Sequence, residues 1–539
     1  CLVRAFSNAP PGRLGLVHCK KFDCLQFRPW NSAMTAANQV ARMRFEYFVV
    51  ALGILMTAVR LGVLAQSITV AAVLVILFLL LRWQQSEQPD FNQRPHADSG
   101  LWLTLLLPFC LLTGGNSYDH GDLYTLAEVV CSQTLLLSLA VIFKVTSNLI
   151  YVVSSAWTTV LLAAATNIPL LWSASASVAA MGTFNFLVTS LPSYSPQSFT
   201  LGELLIACQG IATFVVMSGC SLTCRILFRN DCALKCSSSA GFLQAGLFSL
   251  ALFVAAATKI QALRRPTGFY LGLILSAVVL VYPLCYIMVN TEPVSWLVYH
   301  CFSNSTRLAL MALWLISSAL AVIFVYWYSK NYSNSSTVVR KVFHAAIVSV
   351  FLPGVILDPD LMYLACGAVL GIFVLLELFR TLDIPPVGTC LQSTCTMFLD
   401  DKDAGAFILT PVYLFIGCAA SLLLFPAQFG EPEKKLILLS GTVALGIGDT
   451  AASVVGSKLG KHQWPGTSKT VEGTLAAVVA QFGFYLPVLC TAVPNVWHLN
   501  TVLLILVLCL NSYLEAFTTQ VDNLVLPVYV YPMMTAIYA

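Results

Sequence analysis

The stretch TGFYLGLILSAVVLVYPLCYIMV, Thr267 to Val289, runs 23 residues without one charged side chain. A helix rising about 1.5 Å per residue needs about 20 such residues to cross a hydrocarbon core of about 30 Å. In that medium every backbone N–H and C=O must pair within its own segment, so the stretch reads as a membrane-spanning helix. Comparable runs recur outward from it in both directions, from about Tyr47 to the last residue. They predict an all-α, polytopic integral membrane bundle of about 13–17 transmembrane helices.

Composition agrees. Of 539 residues, 58% are hydrophobic and 10% charged, against about 25% charged in soluble domains. The net charge of +4 is spread over short loops with no basic block, which excludes nucleic acid as a partner and leaves the bilayer as the evident one. Protein partners are not legible. Most of the 18 cysteines lie in apolar runs, where a thiol acts as a small hydrophobe, so no disulfide framework is expected. Cys220, Cys224, Cys232 and Cys236 are spaced too widely for the usual zinc ligation.

Three regions follow. Residues 1–45 read as a flexible polar tail, with Met34 a plausible start. Residues 46–328 carry few charges and read as a transmembrane scaffold. Residues 329–539 hold the polar motifs, including a loop at about 446–473, and read as the catalytic region. Lys330, Arg340 and Lys341 place one loop in the cytoplasm by their excess positive charge. Counting spans in pairs brings the loop at 380–406, with Asp400, Asp401, Lys402 and Asp403, to the same face. The same count returns the loop at 457–470 and the turn around Gln520 and Asp522 there. Sequons at Asn331 and Asn334 are then cytoplasmic, and Asn304 faces the other side.

The chemistry concentrates in the last third. Gly446-Ile447-Gly448-Asp449-Thr450 places a carboxylate behind two glycines at the end of an apolar span; such a carboxylate can hold the Mg²⁺ that accompanies a nucleotide. There follows the run Ser457-Lys458-Leu459-Gly460-Lys461-His462-Gln463-Trp464-Pro465-Gly466-Thr467-Ser468-Lys469-Thr470-Val471-Glu472. Seven of the chain's 31 glycines fall between Gly441 and Gly473, about a fourfold enrichment that a plain connector does not need. Pro465-Gly466 makes a turn, after which a helix N-terminus presents free amides to an anion. Lys469 can neutralise phosphate charge, and Glu472 can hold metal or orient the lysine. No Gly-x4-Gly-Lys-Ser/Thr run and no protein-kinase signature occurs, so the nucleotide site is of another kind.

Arg340-Lys341-x-Phe343-His344, Leu399-Asp400-Asp401-Lys402-Asp403-x-Gly405, Gly446-x-Gly448-Asp449-Thr450, Trp464-Pro465-Gly466-Thr467-x-Lys469-Thr470-x-Glu472-Gly473 and Leu514-Glu515-Ala516-x-Thr518-x-Gln520-x-Asp522-Asn523, in that order, closely resemble the dolichol kinase family. Lys469-Thr470-x-Glu472-Gly473 alone is similar to motifs of phytol kinases and CTP:phosphatidate cytidylyltransferases. The resemblance implies CTP as donor, Mg²⁺ or another divalent cation, and dolichol as acceptor. It further implies dolichyl phosphate and CDP as products, residence in the endoplasmic reticulum membrane, and supply of the lipid carrier for N-glycosylation and related mannosylation and GPI pathways. It also implies that the Ser457–Glu472 loop binds CTP.

On this reading Asp449 holds the metal, Lys469 pairs with β/γ oxygens, and Gly448, Gly466 and Thr467 frame the phosphates. Asp522 is a candidate base or second metal ligand, and His344 a weaker candidate base. Glu377 and Glu515, carboxylates inside apolar spans, are further candidates. A groove between C-terminal spans should open toward lipid to admit the polyprenol. A transporter would be expected to show inverted repeats with broken helices, and none is found.

Overall fold

The computed structural model describes residues 36–538 apart from 62–66, 87–91, 96, 118–120, 229–231, 332–335, 396–404, 426–431 and 493–498. The Asp400–Asp403 cluster, the sequon at Asn334 and the tail before Ala36 lie outside the described residues. Among the described residues the chain is helical, with no strand beyond a single bridge between Gln463 and Thr470. Among the described residues, nine helices are long and apolar enough to cross a membrane, and five shorter apolar helices of 10–17 residues accompany them. Large side chains such as Leu171, Leu271, Leu315 and Trp327 project outward, as lipid-facing positions require.

The first helix, Ala36–Arg60, begins inside the region expected to be tail. Arg42 explains the difference: its guanidinium is buried against the Asp98 carboxylate at 2.7 Å. A basic residue that reads as a tail residue in isolation is here part of the interior.

The last helix, Asp522–Tyr538, is the hub. Every residue from Asn523 to Tyr538 is buried, as expected of a helix apolar on all sides. It packs against Ala36–Arg60, Leu106–Ser117, Thr410–Leu424 and Leu499–Phe517. Gly417 and Gly441 make this close: a Cβ on either would press on a neighbouring backbone carbonyl and on the Pro527 ring. The main hydrophobic core runs from Met43 to Tyr538 and includes Leu204 and Leu205, so the two regions expected from the sequence share one interior.

A smaller core gathers Leu123, Leu126, Leu162, Ala180 and Val216 with Cys224 and Cys232. Those two cysteines form a disulfide with Cα atoms 5.5 Å apart, a single bridge where no disulfide framework was expected. Eight residues of separation across a helix end bring them together, and spacing alone carries no such signal.

Candidate active site

Lys341 and His344 stand three residues apart on the helix Ser336–Leu357, so they share one face. Opposite them, the backbone widens into a π-helical turn over Val443–Asp449 before resuming as the α-helix Thr450–Leu459. Such turns are a local departure from regular helix that recurs at functional sites. Gly446 lies against Val348 and Gly448 against the Gln481 amide, where a Cβ would collide. These two glycines are therefore required by helix packing, and the close approach of the helices is what delivers Asp449.

Asp449 Oδ2 lies 2.7 Å from Lys341 Nζ and 3.1 Å from His344 Nε2, and its backbone carbonyl accepts a second bond from Lys341 at 3.2 Å. From the far side, Lys469 Nζ reaches Glu515 Oε1 at 3.2 Å. Glu515 beside it, and then Asp449 and Asp522, hold Lys469 above the usual lysine range against the opposing effect of burial. Lys469 thus remains an ammonium throughout the neutral range, within the field of three carboxylates. Two lysines, one histidine and three acids converge from five separate stretches of chain.

The loop between Leu459 and Val471 folds back on itself. Trp464 N–H donates to the Lys469 carbonyl at 2.9 Å, and Val471 N–H to the His462 carbonyl at 2.8 Å. Thr467 N–H donates to the Trp464 carbonyl at 3.2 Å. With Pro465 first and Gly466 second at φ 75°, this is a type II turn, whose third residue must take positive φ. The Trp464 indole N–H donates to Thr474 Oγ1 at 3.0 Å, and its ring lies against Tyr513 and Phe517. The loop is thereby pinned to the helix that carries Glu515. Gly456 and Gly473 face one another where Thr450–Leu459 meets Val471–Ala492.

The sequence-read residues separate accordingly. Asp449, Lys469, His344 and Asp522 come together. Ser457, Lys458, Leu459, Lys461, His462, Gln463 and Ser468 line the exposed side of the loop. Glu472 turns to His462, meeting its ring Nδ1 at 2.6 Å and its backbone N–H at 3.2 Å, and so braces the loop. Among the described residues no three His, Cys, Asp or Glu side chains are grouped as a metal cage. Asp449 nonetheless suits Mg²⁺, which takes one or two carboxylates and fills its remaining positions with phosphate oxygens and water. Glu377 pairs with Arg380 at 2.8 Å and accepts from the Ile408 N–H at 3.0 Å. Lys341 carries a larger part than sequence reasoning assigned it. The signal was its place three residues before His344.

The dolichol kinase family model matches residues 178–497, more than half of the chain. The chain is 30% identical to human dolichol kinase over 370 residues, 63% of this chain and 66% of that protein. To mouse dolichol kinase it is 34% identical over 274 residues, 48% of this chain and 50% of that one. To the dolichol kinase sec59 of Schizosaccharomyces pombe it is 27% identical over 469 residues, 81% and 84% of the respective chains. The alignments thus span between half and two thirds of the two mammalian relatives' lengths. No solved structure gives a significant match. The matched region contains Lys341, His344, Asp449 and the whole Trp464 loop, and on these grounds the chain belongs to the dolichol kinase family.

Proposed function

We propose that this chain is a CTP-dependent kinase of the endoplasmic reticulum membrane that phosphorylates the terminal hydroxyl of dolichol. The observation that carries the reading is the convergence of Lys341, His344 and Asp449 with Lys469 at one mouth of the bundle. Phosphoryl transfer asks a protein mainly for positioning and for neutralisation of charge on the phosphate oxygens, and this cluster offers both.

Asp449 is the residue that would hold a divalent cation, whose charge, when bound, offsets that of the triphosphate. Lys341 is paired with Asp449 at 2.7 Å and is freed to face phosphate when Asp449 takes another partner. Lys469 supplies a second fixed positive charge. His344 is buried beside Asp449 and orients it. Asp522, half-exposed at the start of the last helix, is the better placed acceptor for the hydroxyl proton. The mouth faces the cytoplasm in this account, since that is where loop lysines collect.

The acceptor reaches the mouth through lipid. An apolar groove of about 690 Å³ runs between Ser305–Asn331 and Ser336–Leu357, lined by Leu320, Phe324, Trp327, Val342, Ala345 and Ser349. It lies along the same helix that presents Lys341 and His344, on the neighbouring face, and suits an isoprenoid chain.

The test is purified full-length protein in detergent given a panel of polyprenols with CTP and ATP side by side. Transfer of the CTP γ-phosphate to dolichol is expected. Transfer of a cytidylyl group with release of pyrophosphate would assign the chain a different reaction.

A further inference from the structure

The first half of the chain, which reads as scaffold, grips the turn between the last two helices residue by residue. Arg42 donates to the Phe517 carbonyl at 2.7 Å. Thr518 donates its hydroxyl to Glu46 at 2.8 Å, and Asp98 N–H donates to Thr519 Oγ1 at 3.3 Å. The Gln520 amide donates to the Asp98 carboxylate at 2.7 Å and accepts from Thr200 at 2.6 Å. Val521 N–H donates to Glu203 at 2.9 Å, and Arg94 holds the same carboxylate oxygen at 2.6 Å. Gly100, at φ 56°, makes room: a Cβ there would collide with the Gln520 amide.

All of these side chains except those of Thr518 and Thr519 belong to buried residues, and Glu46, Thr200, Glu203 and Gln520 have no exposed surface. Burying ion pairs is a costly way to obtain stability, and well-packed apolar residues of similar volume commonly do as well or better. What charged, directional contacts add is a single geometry. The gripped residues 517–521 lie between Glu515, which holds Lys469, and Asp522, which follows directly on Val521.

We infer that Glu203, held by Arg94, together with Thr200, positions the 517–521 turn so that Glu515 and Asp522 face Lys469. These are positioning residues that act through the turn. The inference rests on the proposed role of Asp522, and a displacement of about 1 Å in such a site can cost on the order of a hundredfold in rate.

The experiment compares Glu203→Ala, Glu203→Gln and Thr200→Val with Asp522→Asn in the full-length protein, scoring turnover per monodisperse, folded molecule. Glu203→Ala should lower kcat about tenfold or more with KM for CTP within about twofold, because Trp464 also holds the nucleotide loop through Thr474 and Tyr513, outside the turn. Glu203→Gln, whose amide oxygen still accepts from Val521, should recover most of the loss. Thr200→Val, which exchanges the hydroxyl that donates to Gln520 for a methyl, should lower kcat by about threefold or more per folded molecule. The inference is overturned if Asp522→Asn is inactive while Thr200→Val matches the wild type per folded molecule, whatever Glu203→Ala does to folding. Full activity of Asp522→Asn would overturn the site reading and this inference together.

Discussion

Lys341 donates from its ammonium to the Asp449 carboxylate at 2.7 Å across 108 residues of sequence. The pair joins the start of one helix to a π-helical turn in another. Their contact depends on Gly446, which lets the turn lie against Val348. The acidic partner is expected to bind the cation and the basic partner the phosphate, so each keeps the other soluble in the protein interior until substrate separates them.

Lys341→Met should therefore lower turnover by about 10²-fold or more, the scale set by removing one preorganised charge from a transition state. Lys341→Arg should retain a measurable fraction, since it keeps the charge in altered geometry. Steady-state kinetics with CTP and dolichol decides this. Equal activity of Lys341→Met and wild type would leave the ion pair a purely structural contact.

The pH profile reports the Lys469–Glu515 pair. Glu515 raises the folded pKa of Lys469, so the ammonium, and whatever it contributes, is present at neutral pH and lost only as pH rises through that raised value. Removing the carboxylate charge with Glu515→Gln lets the pKa fall toward the ordinary lysine value. The alkaline limb of kcat/KM for CTP should move to lower pH in this variant, while Glu515→Asp should move it less. An alkaline limb that stays in place would separate Lys469 from the nucleotide.

Gly466 at φ 75° supplies the positive φ that the Pro465-Gly466 turn demands. Alanine there costs about 1–2 kcal/mol in that conformation. Gly466→Ala should raise KM for CTP several-fold with a smaller effect on kcat, because the loop's shape is disturbed and the Asp449 cluster is untouched. If kcat alone falls, the loop serves the chemical step and not nucleotide binding.

Orientation is open to direct labelling. Lys458 and Lys235 are both exposed, and an odd number of crossings lies between them in the topology proposed here. In sealed microsomes, Lys458→Cys should react with an impermeant maleimide without permeabilisation and Lys235→Cys only after it. In that topology the Cys224–Cys232 disulfide, near Lys235 in sequence, would face an oxidising lumen that preserves it. The opposite pattern of labelling would place the nucleotide loop away from the cytosol.

Much of the fold was legible because the bilayer imposes one rule on every segment. Runs such as Thr267–Val289 need no tertiary information to be read as helices. The site was legible where chemistry is local: Asp449 behind its glycines, and Pro465-Gly466 before Lys469. It was not legible where partners are remote. Arg42 reads as tail until Asp98 and Phe517 are seen beside it, and Glu203 falls within the stretch read as scaffold until Arg94 and Val521 are seen to close on it. Glu472, three residues after Lys469 in sequence, turned to His462 because the loop folds back on itself. Gly448, read as part of a phosphate frame, lies with Gly446 where helices meet closely, a contact that only the packed structure reveals.

The central claim is that Asp449 lies at the heart of a nucleotide-dependent kinase site, and one comparison tests it most directly. Purified wild type and Asp449→Asn, matched for folded protein, are given CTP labelled at the γ-phosphate together with dolichol. Label should enter the lipid with wild type and fall by about 10²-fold or more with Asp449→Asn. Undiminished transfer by the variant would contradict the account.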